Sequence, residues 1–186
     1  MRTSRPDREQ RFRSLYADTY PHVLRFAQRR VHPSHAEDVA ADAFLVAWRR
    51  LDQAPPGAAD LRAWLFGITR NCLLNTRRGL GRQDALAVRI AVVGTPAGIA
   101  ASEEDATAQR LDLAAAWGRL SAREQETLAL TVFDQLSSAR AATVLGISAA
   151  SYRLRLLRAR RALRRHLDHA DDALAALGLT AVENPS

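Results

Sequence analysis

Residues 136–167 constrain this chain more than any other stretch. Leu136-Ser137-Ser138-Ala139-Arg140-Ala141-Ala142-Thr143-Val144-Leu145 predicts a short helix, Gly146 a tight turn and Ser148 a helix cap. A long arginine-studded helix former follows from Ala149. That order is a helix-turn-helix written in sequence. No acidic residue lies between Asp134 and Asp168, whereas Arg140, Arg153, Arg155, Arg158, Arg160, Arg161, Arg164 and Arg165 all do. A one-sign charge field of this kind suits a polyanionic partner, and duplex DNA is the expected one.

The totals agree with that reading. The net charge is +7 and the isoelectric point about 11.0. All 27 basic residues are arginine, which reads as GC-rich codon usage or as the fit of the planar guanidinium fork to phosphates and guanine edges, while the charge itself points to nucleic acid. Hydrophobic residues make up 47% of the 186, enough for packed cores, but aromatics only 6%. Alanine and leucine therefore favour an all-α fold over sheets. The lone Cys72 excludes an internal disulfide and reads as a small buried side chain. No run is long and apolar enough to cross a membrane, and Met1-Arg2-Thr3-Ser4-Arg5 does not open a signal peptide. A cytoplasmic protein without membrane insertion is expected.

Two small helical domains joined by a flexible linker emerge from the periodicity. In residues 8–78, Phe12, Leu15, Tyr16, Val23, Leu24 and Ala27 fall at helical spacing, with Pro21 expected to break or kink the helix. Ser34 and Glu37 form the pattern of a capping box ahead of the stripe Ala40, Phe44, Ala47, Trp48 and Leu51. Pro55, Pro56 and Gly57 mark a loop, and Asp60 is placed to cap a third helix carrying Leu61, Trp64, Leu65, Ile68 and Cys72. Residues 79–101 read as the linker, although Ala87 to Val93 is apolar. That run suits equally a neighbouring helix or a partner's groove. Fully extended, the linker reaches about 75 Å, about two turns of B-DNA. Residues 102–167 form the second domain. Ser121 and Glu124 supply another capping box, for a helix expected through about Phe133. Residues 168–186 read as an alanine-rich tail, frayed or loosely helical.

Five segments in this order resemble the extracytoplasmic-function (ECF) sigma factors of the sigma-70 family, the type that keeps only regions 2 and 4. In the first half they are Ala36-Glu37-Asp38-Val39-Ala40-Ala41-Asp42-Ala43-Phe44-Leu45-Val46-Ala47-Trp48-Arg49 and Trp64-Leu65-Phe66-Gly67-Ile68-Thr69-Arg70-Asn71. In the second they are Leu120-Ser121-Ala122-Arg123-Glu124-Gln125-Glu126, Val144-Leu145-Gly146-Ile147-Ser148 and the run Arg155 to Leu163. Two departures stand out: Ala41-Asp42 replaces the usual Gln-Glu, and Ser151-Tyr152-Arg153-Leu154-Arg155 replaces Thr-Val-x-Ser-Arg. The second puts the promoter sequence in question, not the fold.

The resemblance implies a protein that binds core RNA polymerase, through its largest and second-largest subunits, and directs it to promoters. Asp38, Asp42, Arg49 and Arg50 are the implied polymerase contacts. Arg62, Arg70, Asn71, Asn75, Arg77 and Arg78 are implied at the −10 element, read as single-stranded DNA. Trp48 and Trp64 sit on apolar stripes and read as core. Tyr152, Leu156, Ala159 and Leu163 share an inner face, which leaves Ser148, Ser151, Arg153, Leu154, Arg155, Leu157 and Arg158 toward the −35 element. Arg160, Arg161 and Arg164 suit its phosphates. An anti-sigma partner is common in the family. The alternative is a stand-alone helix-turn-helix regulator. No catalytic pair, phosphate-binding glycine loop or cofactor site is suggested; His32 and His35 lack companion metal ligands.

Overall fold

The structure, a computed structural model, describes residues 5–79, 88–89 and 103–176. Seven α-helices carry them: α1 (Arg5–Gln28), α2 (Pro33–Arg49), α3 (Ala58–Gly79), α4 (Glu103–Arg119), α5 (Ala122–Val132), α6 (Ser138–Leu145) and α7 (Ala149–Ala176). A single 3-10 turn, Leu51–Gln53, follows α2. No strand occurs among the described residues. Helices α1–α3 pack on one another as one unit, and α4–α6 gather on α7 as a second.

The helix boundaries differ from the sequence expectation in instructive places. α1 runs on through Pro21. Proline cannot donate to the carbonyl four residues back, but here Pro21 is exposed and water can serve that carbonyl. α2 starts before Ser34, at Pro33, whose pre-set φ suits a first helical position. His32 is its N-cap, and its Nδ1 accepts from the Ser34 amide at 3.4 Å, so the Ser34–Glu37 box is not the start. α3 begins at Ala58, which moves Asp60 from cap to first turn. The Ser121–Glu124 box forms as expected, with the Ser121 amide donating to Glu124 at 2.9 Å. α7 continues past Asp168 to Ala176, the helical of the two readings of the tail. Residues 177–186 lie outside the described residues.

The first core joins Val23, Phe26 and Ala27 of α1 to Val39, Phe44 and Ala47 of α2 and Leu65, Phe66 and Leu73 of α3, all buried. Phe26 and Phe66 stack at 4.5 Å between centroids. Trp48 is half-buried and meets Phe12 edge-on at 5.1 Å, while Trp64 packs on the same core. Both tryptophans serve packing, as their stripes require. Cys72 is half-buried, and burial raises its thiol pKa, which disfavours the nucleophilic thiolate.

In the second unit Gly146 closes α6 in the left-handed region, φ 65° and ψ 36°. A Cβ would find open space there, so the constraint is the backbone alone. Gly146→Val is expected to destabilise this unit by about 1–2 kcal/mol. Urea denaturation followed by far-UV circular dichroism would read it, and an unchanged midpoint would refute the assignment.

The two units are packed together. α3 lies against α6, close enough that a methyl on Gly67 would reach the Val144 Cα at 3.9 Å. Val88, from the linker, is buried in the seam. Its carbonyl accepts from Trp117 Nε1 at 2.7 Å and its amide donates to Gln125 Oε1 at 3.0 Å. The next amide, that of Arg89, donates to the Arg29 carbonyl at the end of α1 at 2.8 Å. Of the apolar run 87–93, Val88 therefore tucks onto neighbouring helices. Residues 80–87 and 90–102 lie outside the described residues.

Candidate nucleic-acid interface

The second helix of the helix-turn-helix presents one buried and one open face. Ser148 caps it, its Oγ accepting from the Ser151 amide at 3.1 Å. Tyr152, Leu156 and Ala159 are buried and Leu163 is half-buried, on the inner side as the spacing requires. The Tyr152 hydroxyl donates to the Thr127 carbonyl and lies 2.8 Å from Thr131 Oγ1. Burial raises its pKa, which keeps it a neutral donor.

Ser148, Ser151, Arg153, Leu154, Leu157 and Arg158 are exposed; Arg155 is half-buried against the unit. Leu154 and Leu157 are 48% and 45% exposed, an unusual outlay of apolar surface on a polar helix. Arg160, Arg161 and Arg164 are also exposed. Arg158, Arg161, Arg164 and Arg165 line one open groove of about 580 Å³ together with Glu124 and Asp168. The structure thus brings Arg158 together with the arginines expected on phosphates.

The first unit offers two further surfaces. Asp38, Asp42, Arg49 and Arg50 are all exposed around α2. Leu45 lies among them at 56% exposure. It shares their face at i, i+7 from Asp38 and i, i+4 to Arg49, a position that falls off the apolar stripe and that the search for charged residues on that face passes over. On α3, Asn71 and Asn75 are exposed, and the side chains of Arg77 and Arg78 lie outside the described residues.

The other two α3 candidates face the second unit. Arg70 makes a two-pronged ion pair with Glu126, Nε to Oε1 at 2.8 Å and Nη2 to Oε2 at 3.1 Å. Arg62 lines a cavity at the seam. Nearby, Asp134 receives Arg30 Nη2 at 2.8 Å and Arg29 Nη1 at 3.0 Å. Arg30 and Asp134 side chains are 0% and 1% exposed. Desolvation lowers the Arg30 pKa and the carboxylate of Asp134 opposes it. The guanidinium also lies over the Phe26 ring at 3.5 Å. Arg140 and Asp60 pair at 2.7 Å on the exposed rim. Neither Arg30 nor Asp134 stands out in sequence, since nothing local announces a contact spanning about a hundred residues.

Two helical units, the second a helix-turn-helix with an open arginine face, define a DNA-binding protein. Residues 15–83 match the description of sigma-70 region 2, and residues 110–163 that of sigma-70 region 4. The chain is 32% identical over 153 residues to the ECF RNA polymerase sigma factor SigL of Mycobacterium tuberculosis, covering 82% of this chain and 86% of that protein. It is 34% identical over 140 residues to the RNA polymerase sigma factor CnrH of Cupriavidus metallidurans, covering 71% and 73%. Among solved structures, CnrH with the cytosolic domain of CnrY superposes with a TM-score of 0.57 at 27% identity, over 85% of this chain and 88% of that one. RpoE with the anti-sigma factor NepR from Bartonella quintana gives 0.59 at 27% identity, over 84% and 96%. The chain belongs to the sigma-70 family, as an ECF RNA polymerase sigma factor. That membership favours the sigma reading over a stand-alone regulator.

Proposed function

We propose that residues 8–78 bind core polymerase and the −10 element, that 79–101 connect, and that 102–167 read the −35 element. The observation that carries the DNA assignment is the outer face of α7, where exposed arginines flank two exposed leucines and no carboxylate intervenes before Asp168. Ser148, Ser151, Arg153, Leu154, Arg155, Leu157 and Arg158 enter the major groove. Arg160, Arg161 and Arg164 hold phosphates, each adding affinity without sequence choice. The exposed face of α2, with Asp38, Asp42, Arg49, Arg50 and the added Leu45, docks on core polymerase.

Arg62, Arg70, Asn71, Asn75, Arg77 and Arg78 serve the −10 strand, and this requires a change of state. Arg70 is engaged with Glu126, and α3 is covered by α6. The packed arrangement is therefore closed, and promoter binding draws the units apart. An anti-sigma factor is a fitting partner for the closed state, since the solved relative RpoE is captured with the anti-sigma factor NepR. The protein works in the cytoplasm with polymerase and performs no bond chemistry itself; no helix among the described residues is long and apolar enough to cross a membrane.

Run-off transcription with purified chain and bacterial core polymerase on a genomic promoter library tests this. Initiation that needs both components, at a shared promoter motif, is the expected result. DNA bound by the chain alone, with no core binding, would sink it. Within that assay Arg158→Ala is expected to relax promoter choice, a guanine contact being worth about 1–3 kcal/mol. Arg164→Ala is expected to weaken all DNA alike and lower the salt slope by about one. Equal losses on every sequence would place Arg158 with the phosphate set whose groove it shares.

A further inference from the structure

The seam holds a cavity that the promoter reading does not use. It measures about 130 Å³ and is lined by His22, Arg25 and Arg29 of α1, Arg62 and Phe66 of α3, and Phe133, Asp134 and Gln135 of the turn between α5 and α6. At ~30 Å³ per water, it has room for about four waters, or for one five-atom oxyanion.

Its charges do not balance. Asp134, the one carboxylate on the wall, is already held by Arg29 and Arg30. Arg25 uses its Nε on the Pro21 carbonyl, which adds no negative charge. Arg62 has a buried Nε with no hydrogen-bond partner. Desolvation and the positive field of Arg25 and Arg62 lower the pKa of His22. Gln135, which also lines the cavity, is the one non-glycine residue with positive φ among those described, at 52°. Backbone strain of that kind gathers at ligand sites and switches.

We propose that this cavity binds a phosphate-type oxyanion, held by Arg25 and Arg62 with His22 and Gln135, and that the bound ion steadies the closed arrangement. Guanidinium forks match the edges of a tetrahedral oxyanion. The site takes its walls from both units, so it is complete only when they are packed, and an ion that binds only there must favour packing. The inference goes beyond the promoter reading, because DNA is read in the opened state. The same chemistry has two sources, a free ion or a phosphodiester of the DNA backbone. The enclosure between two packed units favours the free ion.

The test is calorimetric titration of the full chain with inorganic phosphate at constant ionic strength, alongside energy transfer between dyes placed one on each unit. Saturable one-to-one binding that raises the transfer efficiency is expected. Arg62→Gln should weaken it by about tenfold or more. Arg25→Gln, at an exposed position that folding does not need, should do likewise. Arg13→Gln, exposed on the same helix, should leave the titration unchanged. No saturation up to tens of millimolar, or binding that survives both Arg62→Gln and Arg25→Gln, overturns the proposal; in the latter case the ion sits on the α7 arginines. A short single-stranded oligonucleotide that competes with phosphate while closing the units would assign the site to the DNA backbone. One that opens the units and expels phosphate supports the free ion. Failure of transcription with intact phosphate binding would count against the promoter reading alone.

Discussion

Replacing Asp134 with alanine is expected to part the two units. The carboxylate is buried and, among the described residues, is the acidic group that ion-pairs with Arg30, itself fully buried. Removing one member of such a pair strands the other charge, at a cost of about 3–5 kcal/mol. The chain can relieve that cost without unfolding, because separating the units returns Arg30 to water. The remaining ion pairs across the seam resist weakly. Arg140–Asp60 is exposed and contributes about 0–1 kcal/mol. Arg70–Glu126 is better shielded, with side chains 16% and 5% exposed, yet it too can hydrate once apart. The closed-to-open ratio should fall by about two to three orders of magnitude. Small-angle scattering would show a larger radius of gyration, and Arg70, freed from Glu126, should bind a −10 single strand more tightly. Asp134→Asn, which keeps hydrogen-bond acceptance without the charge, should open the chain less. An unchanged radius with a large loss of thermal stability would mean that the seam is not where the molecule yields.

Tyr152→Ala is expected to cost the second unit about 3–5 kcal/mol, the range for losing a large buried aromatic. Tyr152 is the largest fully buried side chain, and its hydroxyl serves the Thr127 carbonyl inside α5. The loss therefore combines an apolar void with an orphaned polar group. Against a domain stability of about 5–15 kcal/mol, this endangers folding of the unit and with it every contact of α7. Tyr152→Phe separates the terms. It keeps the ring and drops the hydroxyl, for an expected loss of about 1–3 kcal/mol. Denaturant titration of both variants reads the difference. Equal losses would mean the ring contributes nothing beyond its hydroxyl, contrary to its burial.

The local structure was largely legible from neighbouring residues. The helix-turn-helix, the Ser121–Glu124 box and the inner face of Tyr152, Leu156 and Ala159 rest on contacts within a few positions, and periodicity reports those. The start of α2 was misread because two caps compete three residues apart, and Pro33 with His32 prevails over Ser34 with Glu37. Pro21 was misread because whether proline interrupts a helix depends on which side faces solvent.

The site was legible in part. The arginine face of α7 follows from composition and spacing, as does the charged face of α2. Leu45 was missed because only charged residues were sought on the open face of α2, although it lies off the apolar stripe. Arg62 and Arg70 stand out in sequence as polar groups on α3, but Arg70 pairs with Glu126 of the other unit and Arg62 lines the cavity at the seam.

Sequence by itself determined the all-α class, the two-part organisation, the helix-turn-helix and the charge of its open face. Only the tertiary structure decided that the two parts lie closed on each other, with Arg30 sealed against Asp134, Val88 strapped between Trp117 and Gln125, and a basic cavity left at the seam. The physical reason is range. Helix formation, capping and amphipathic faces are set within one or two turns of chain. A buried ion pair between α1 and the turn after α5 depends on how two finished surfaces fit, and no spacing along the chain encodes that fit.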